Sequence, residues 1–239
     1  MKTNSRIEHN GFRILSAHDD VYTRRLLEDI LSSHIDIVRV FKDDRRNYVA
    51  RFRYGEDDLV VKRPRGRSDS WYERILTLFR DGEAFRRFQS MSELIRLGLH
   101  GSKPVLAAER RSYGMVVDNL FVYHYTEGVP AGPGNEKQVL AALLALYNHG
   151  YTRRDSKPTN FLLSGNRVHF IDYRLSRPVL FRKLRIGKEL NRFFRNMPSA
   201  LEHYDTTRQH TACFRIARFL DTASFRLSKI KKALRRLVR

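Results

Sequence analysis

The stretch Arg153-Arg154-Asp155-Ser156-Lys157-Pro158-Thr159-Asn160, with Asp172 twelve residues further on, constrains this chain most. Between Asn160 and Asp172 lie two short apolar runs, Phe161-Leu162-Leu163 and Val168-His169-Phe170-Ile171, separated by Ser164-Gly165-Asn166. Apolar runs around a Gly-Asn turn predict a β-hairpin. A hairpin brings its ends together, so an amide and a carboxylate should stand side by side where the chain enters and leaves it. Both are oxygen donors of the kind a hard divalent cation takes. A second carboxylate, Asp155, precedes the amide by five residues and suits proton acceptance from a hydroxyl. Lys157 lies two residues after it, within reach of a moving phosphoryl group. Transfer of such a group asks for positioning, metal and cations, with little covalent chemistry from the protein.

The flanking chain supplies a frame of matching size. Upstream, Ile35–Phe41, Tyr48–Tyr54 and Leu59–Lys62 read as three strands joined by polar turns, and Pro104–Glu109 and Met115–Tyr125 as two more. Between the two groups, Gly82–Leu97 carries Phe85, Phe88, Met91, Leu94 and Ile95 at helical spacing and stops at Gly98. Trp71–Leu78 reads as a short helical set before it. The Gly- and Pro-rich run Thr126–Gly134 marks a lobe boundary. Beyond it, Asn135 is placed to cap a helix over Glu136–His149, and Leu180–Arg239 reads as helical. The expected class is α+β: an N-terminal extension over residues 1–34, a five-stranded antiparallel lobe over 35–127 with one helix inserted, and a mainly helical lobe over 128–239.

Composition narrows the partners. The formal net charge is +20, and from Arg174 onward there are 18 Lys and Arg against 4 Asp and Glu. Such a field attracts an anionic partner: nucleic acid, an anionic membrane surface or a phosphorylated glycolipid. From Phe225 onward seven Lys and Arg stand with no acid, beside a stripe of Leu227, Ile230, Leu234, Leu237 and Val238, which reads as a basic amphipathic helix for a membrane surface. The longest apolar run, Val139–Tyr147, is far short of the ~20 residues that span a bilayer. The single cysteine, Cys213, predicts no internal disulfide and a reducing setting. No helix-turn-helix, RNP or zinc-ligand spacing is present, and nucleic acid is not expected as a partner.

Arg154–Asn160 resembles the protein-kinase catalytic loop, Ile171-Asp172-Tyr173 stands where those kinases have D-F-G, and Val60-Val61-Lys62 resembles their third-strand lysine motif. Departures are specific. Arg153 replaces the loop's His, Tyr173-Arg174 replaces Phe-Gly, Lys42–Asn47 occupies the place of the Gly-rich loop, and no activation segment follows Pro178. Segments 35–42, 59–63, 82–99, 155–162 and 171–178, with the short length and basic tail, resemble the bacterial lipopolysaccharide core heptose(II) kinases over roughly residues 35 to 195. The heptose(I) and Kdo kinases share that fold, so another core sugar is the alternative, as is a pseudokinase that binds an anionic surface. The resemblance implies ATP and Mg²⁺ as cofactors. It implies Asp155 as the base, Lys157 on the γ-phosphate, and Asn160 and Asp172 on the metal. Lys62, oriented by Glu83 (with Glu73 and Glu93 as competing acids), would meet the α- and β-phosphates, and Glu127 and Gly128 the adenine. It further implies a lipopolysaccharide core acceptor and peripheral association with the cytoplasmic face of the inner membrane.

Overall fold

The computed structural model describes residues 5–65, 75–153 and 156–237. The chain forms two compact units, Met1–Glu127 and Gly128–Arg239.

The first unit is built on an antiparallel sheet of seven strands, where the sequence predicts five. The two additional strands are β1 (Ser5–His9) and β2 (Phe12–Ser16). They come from the segment read as an extension, and the turn between them is Asn10-Gly11, both at positive φ (50° and 75°). Asn-Gly is the strongest short hairpin signal because a type I′ turn needs left-handed backbone at both central positions, so this pair was legible in the sequence. The other strands are β3 (Asp36–Asp43), β4 (Asn47–Tyr54), β5 (Asp57–Pro64), β6 (Pro104–Ser112) and β7 (Met115–His124), in the order β1-β2-β6-β7-β5-β4-β3. Helix α1 (Asp20–Leu31), capped by the Asp19 side chain on Tyr22 N, buries Thr23, Leu26, Leu27 and Ile30. Leu26, Leu27 and Ile30 pack with Ile14, Ala50, Phe52, Leu59, Val61, Ala108, Leu120 and Val122 in one cluster on one face of the sheet.

Side chains alternate across a strand, so the opposite face belongs to Val60, Lys62, Ala107, Glu109 and Phe121. Helix α2 (Glu83–Arg96) packs over β6 and β7, and Arg13, which alternates with Ile14, lies over the α2 residue Phe85. Glu109 on β6 accepts from Gly82 N and Phe85 N, both at 3.2 Å. It therefore caps α2 from the sheet and satisfies two of the orphan donors of a helix start. A Cβ on Gly82 would lie 2.3 Å from Glu109 Oε1, which explains the glycine. The expected helix over 71–78 lies outside the described residues as far as 74.

The second unit holds a three-stranded sheet, β8 (Val129–Pro130), β9 (Phe161–Ser164) and β10 (Arg167–Phe170), in the order β10-β9-β8. Around it stand α3 (Glu136–Asn148), α4 (Arg182–Asn196), the short α5 (Thr206–Gln209) and α6 (Ala212–Leu237). Asn135 does not cap α3 with its side chain. Instead the Glu136 carboxylate accepts from Gly134 N at 2.8 Å. Helices α4 and α6 cross closely at Gly187, where an added Cβ would fall 2.6 Å from Ala217 Cβ. The pair is also tied by Asp221, buried on α6, which accepts from Asn191 (2.9 Å), Arg192 (2.7 Å) and Arg195 (3.0 Å). Burial pushes that carboxyl up, but the Arg192 and Asn191 hydrogen bonds and the two arginine charges outweigh it, so Asp221 titrates below the usual range.

Candidate functional site

Helix α3 delivers the chain to the motif. Its apolar face, Val139, Leu140, Leu143 and Leu146, is buried, and Gly150 at φ 87° reverses the backbone. Thr152 then exchanges two 2.8 Å backbone hydrogen bonds with Ser176, so the loop's entry is paired to the segment beyond Asp172. Arg154 and Asp155 lie outside the described residues. Ser156 is buried and its hydroxyl donates to Glu189 O at 3.1 Å. Lys157 is exposed, and a 3₁₀ turn over Pro158–Asn160 follows it.

The hairpin forms, with Phe161 opposite Phe170; Ser164 pairs with Arg167, so the turn is Gly165-Asn166 and Ser164 belongs to the strand. Ile171 N donates to Asn160 O at 3.0 Å. The hairpin thus pairs the backbone of Asn160 with Ile171, the residue before Asp172, at its open end. Asp172 sits at φ 45°, in left-handed backbone that aspartate tolerates better than most residues. Its side chain is exposed, whereas Tyr173 beside it is buried near Phe170.

Arg153, which stands where the catalytic loops it resembles have histidine, has a structural task. It is 1% exposed, and its guanidinium lies 4.3 Å from the Phe161 ring centroid and 5.5 Å from that of Phe170. A desolvated guanidinium over aromatic faces is stabilised by about 2 kcal/mol or more. Arg153 N is held by the carboxylate of Glu189 on α4 at 3.1 and 3.2 Å. Glu189 therefore grips the loop on both sides of Arg154-Asp155, by its carboxylate before and its carbonyl after. Sequence reading passed over Glu189. The available signal was an acid within the basic run Arg182–Arg195, among the buried positions Gly187, Leu190, Phe193 and Phe194. Glu109 was missed in the same way, as an ordinary strand residue.

In the first unit, Lys62 stands in a row with Phe121 and Ala107 across β5, β7 and β6, on the face that α2 covers. Its Nζ lies 5.9 Å from the Phe121 ring centroid. Glu83 occupies the first turn of α2, and its carboxylate accepts from Arg87 one turn on at 3.4 Å. Burial raises the pKa of the Glu109 carboxyl beneath it, and the Phe85 and Gly82 amides and Arg111 offset this only in part. Glu127, exposed, ends the first unit and Gly128 begins the second. Gly128 is tightly packed: a Cβ there would meet Leu163 O at 2.8 Å.

The turn between β3 and β4 differs from a phosphate cradle. Asp44 Oδ1 accepts from Arg46 N (2.8 Å) and Asn47 N (2.7 Å), so those amides are already engaged. The same two bonds hold the exposed Asp44 carboxyl below its usual range. Among the described residues, no cluster of three or more His, Cys, Asp or Glu could hold a metal, and no helix is long and apolar enough to cross a membrane.

No curated protein sequence matches the chain significantly. Among solved structures, one described as WaaP in complex with acyl carrier protein aligns at TM-score 0.54 and 16% identity, covering 93% of this chain and 98% of that one. The Mycobacterium tuberculosis PknI kinase domain aligns at TM-score 0.42 and 14% identity, covering 79% and 95%. The MAP kinase LmaMPK10 from Leishmania major aligns at TM-score 0.41 and 14% identity, covering 80% and 72%. The fold is α+β and protein-kinase-like. Residues 1–204 match the family model described as lipopolysaccharide core biosynthesis protein (WaaY), so the chain belongs to that family.

Proposed function

We propose that the protein transfers the γ-phosphoryl group of ATP to a hydroxyl of a heptose, heptose II, in the lipopolysaccharide inner core. The observation that supports this reading is the hairpin end, where the backbone of Asn160 bonds to Ile171, next to Asp172, and to Lys157, in a loop anchored by Glu189. The donor set of Asn160 and Asp172 fits Mg²⁺, which takes one or two protein oxygens and fills its other positions with water and substrate phosphate. When bound there, the ion neutralises charge on the phosphates. Asp155 orients the heptose hydroxyl and takes its proton. Lys157 steadies the γ-phosphate. Lys62, oriented by Glu83, holds the α- and β-phosphates, which its place on the α2 face of the sheet supports. Glu127 and Gly128 meet the adenine. The lipid-linked acceptor places the enzyme on the cytoplasmic face of the inner membrane, to which the basic helix α6 attaches it.

The test is an assay with ATP, Mg²⁺ and lipopolysaccharide acceptors truncated at successive core sugars, read by mass for added phosphate. Transfer is expected on acceptors that retain heptose II and absent from shorter ones. Transfer that persists on acceptors ending at heptose I or Kdo would move the site to that sugar. The engaged amides of the β3–β4 turn favour a second reading, a pseudokinase that binds nucleotide without turning it over. ATP binding with no transfer to any acceptor would establish it.

A further inference from the structure

Two apolar features of the second unit stand exposed among the described residues. The first is the loop Val179-Leu180-Phe181 ahead of α4, with Val179 92% and Phe181 74% exposed above the buried Pro178. Phe181 also holds left-handed backbone at φ 55°, which is uncommon for a bulky residue. The second is the outer face of α6. Phe214, Ala217 and Asp221 turn that helix's other side onto α4, leaving Ile216, Phe219, Leu220, Leu227 and Ile230 exposed, with Phe219 at 71%. These positions recur at helical spacing and make a stripe about 21 Å long. The side chains of Leu234, Leu237 and Val238, which extend the stripe in sequence, lie outside the described residues.

The loop and the start of α6 border one groove, of about 700 Å³, whose lining includes Phe181, Ile186 and Cys213. Ile216 follows Cys213 by one helical turn. Exposed cations border the surface throughout: Arg177, Arg182 and Lys183 at the loop, and Arg215, Arg218 and Arg226 beside the helix stripe. Soluble monomers rarely expose so extended an apolar surface unless something covers it. A second copy would set arginine against arginine, so self-association does not suit it. An anionic surface does, and projecting side chains such as Val179 need no matching pocket to enter acyl chains. Near an anionic leaflet, apolar insertion and cation attraction act together.

We propose that loop 179–181 and the outer face of α6 form one bipartite docking surface for a bilayer carrying anionic headgroups, with the loop as an insertion wedge. This deepens the membrane attachment proposed above and adds a second element to it. It rests on that reading only in that the acceptor is lipid-linked.

The experiment is co-sedimentation of the full chain with phosphatidylglycerol-rich vesicles and with phosphatidylcholine vesicles. The wild type should pellet with the first and not the second. Phe181→Asp and Phe219→Asp should each weaken association about tenfold or more, as expected for losing one buried large apolar side chain. Val21→Asp, an equally exposed change in the first unit, should leave it unchanged. Phe219→Trp should be quenched by lipids brominated in their acyl chains. Circular dichroism of each variant confirms folding. Failure of the wild type to bind, full binding by both aspartate variants, or binding to an acidic protein with none to vesicles would overturn the proposal. Transfer to a deacylated core oligosaccharide separates the two readings. It should be unchanged in both aspartate variants, and its absence in the wild type would strike the kinase reading while leaving vesicle binding to be judged alone.

Discussion

Gly187→Ala tests whether the α4–α6 contact positions the candidate catalytic loop. The new methyl would stand 2.6 Å from Ala217 Cβ, inside any ordinary carbon contact, so the helices must part by roughly 1 Å. Overpacking of this kind costs about 1–3 kcal/mol, and alanine's better helix propensity returns about 1 kcal/mol. The net loss should be up to about 2 kcal/mol, a fall of at most a few degrees in melting temperature for a chain of this size. The larger effect should be on the loop. Glu189 lies two residues after Gly187 and holds Arg153 N at 3.1–3.2 Å, so a 1 Å shift takes that bond beyond hydrogen-bonding range. Misplacement of about 1 Å can cost ~100-fold in rate. Circular-dichroism melts, amide exchange at Arg153 and phosphate transfer read the three consequences. Ala217→Gly in the same chain restores the space and should recover protection and turnover, at the expense of helix propensity. The reasoning is refuted if Gly187→Ala is as stable and as active as the wild type, or if Ala217→Gly does not rescue it.

Three further outcomes are expected. Asp155→Asn and Asp172→Ala should each abolish measurable transfer while the melting curve stays cooperative; retained activity in either would remove the assigned roles. Glu109→Gln should flatten the pH dependence of stability. Because the folded carboxyl titrates above its free value of 4.5, the folded state holds the proton longer and stability falls as pH rises from there through the folded value, a slope visible in pH-dependent denaturant melts of the wild type and reduced in the variant. Asp221→Ala should destabilise the second unit by about 1–3 kcal/mol, since three hydrogen bonds are lost while the arginines keep partial access to water. The Asp221 contribution should also fade in the wild type as pH drops below the usual carboxylate range, because its folded value is depressed.

Local periodicity and turn chemistry made much of this protein legible in its sequence. Alternation placed β4, and the Gly-Asn turn placed the β9–β10 hairpin that joins Asn160 to Asp172. The spacing of Phe85, Phe88, Met91 and Leu94 placed α2. Each depends on neighbours within a few residues, which is the range over which a pattern is written. Asn10-Gly11 belonged to the same class of signal and carried two strands that a polar composition concealed.

What only the tertiary structure decided are the contacts between residues distant in sequence. Glu109 caps a helix that begins 26 residues earlier in the chain, and Glu189 grips a loop 36 residues before it. Nothing local distinguishes these acids from solvated ones, because their burial depends on which elements pack together. Arg153 reads as a departure from a motif until Phe161 and Phe170 close over it. The stripe on α6 is amphipathic in sequence, but which side faces water is set by the Gly187–Ala217 crossing and by Asp221. Sequence carries the chemistry of the site, since residue types and short spacings define it. The packing of helices and strands decides how firmly that chemistry is held and which apolar surface is left exposed.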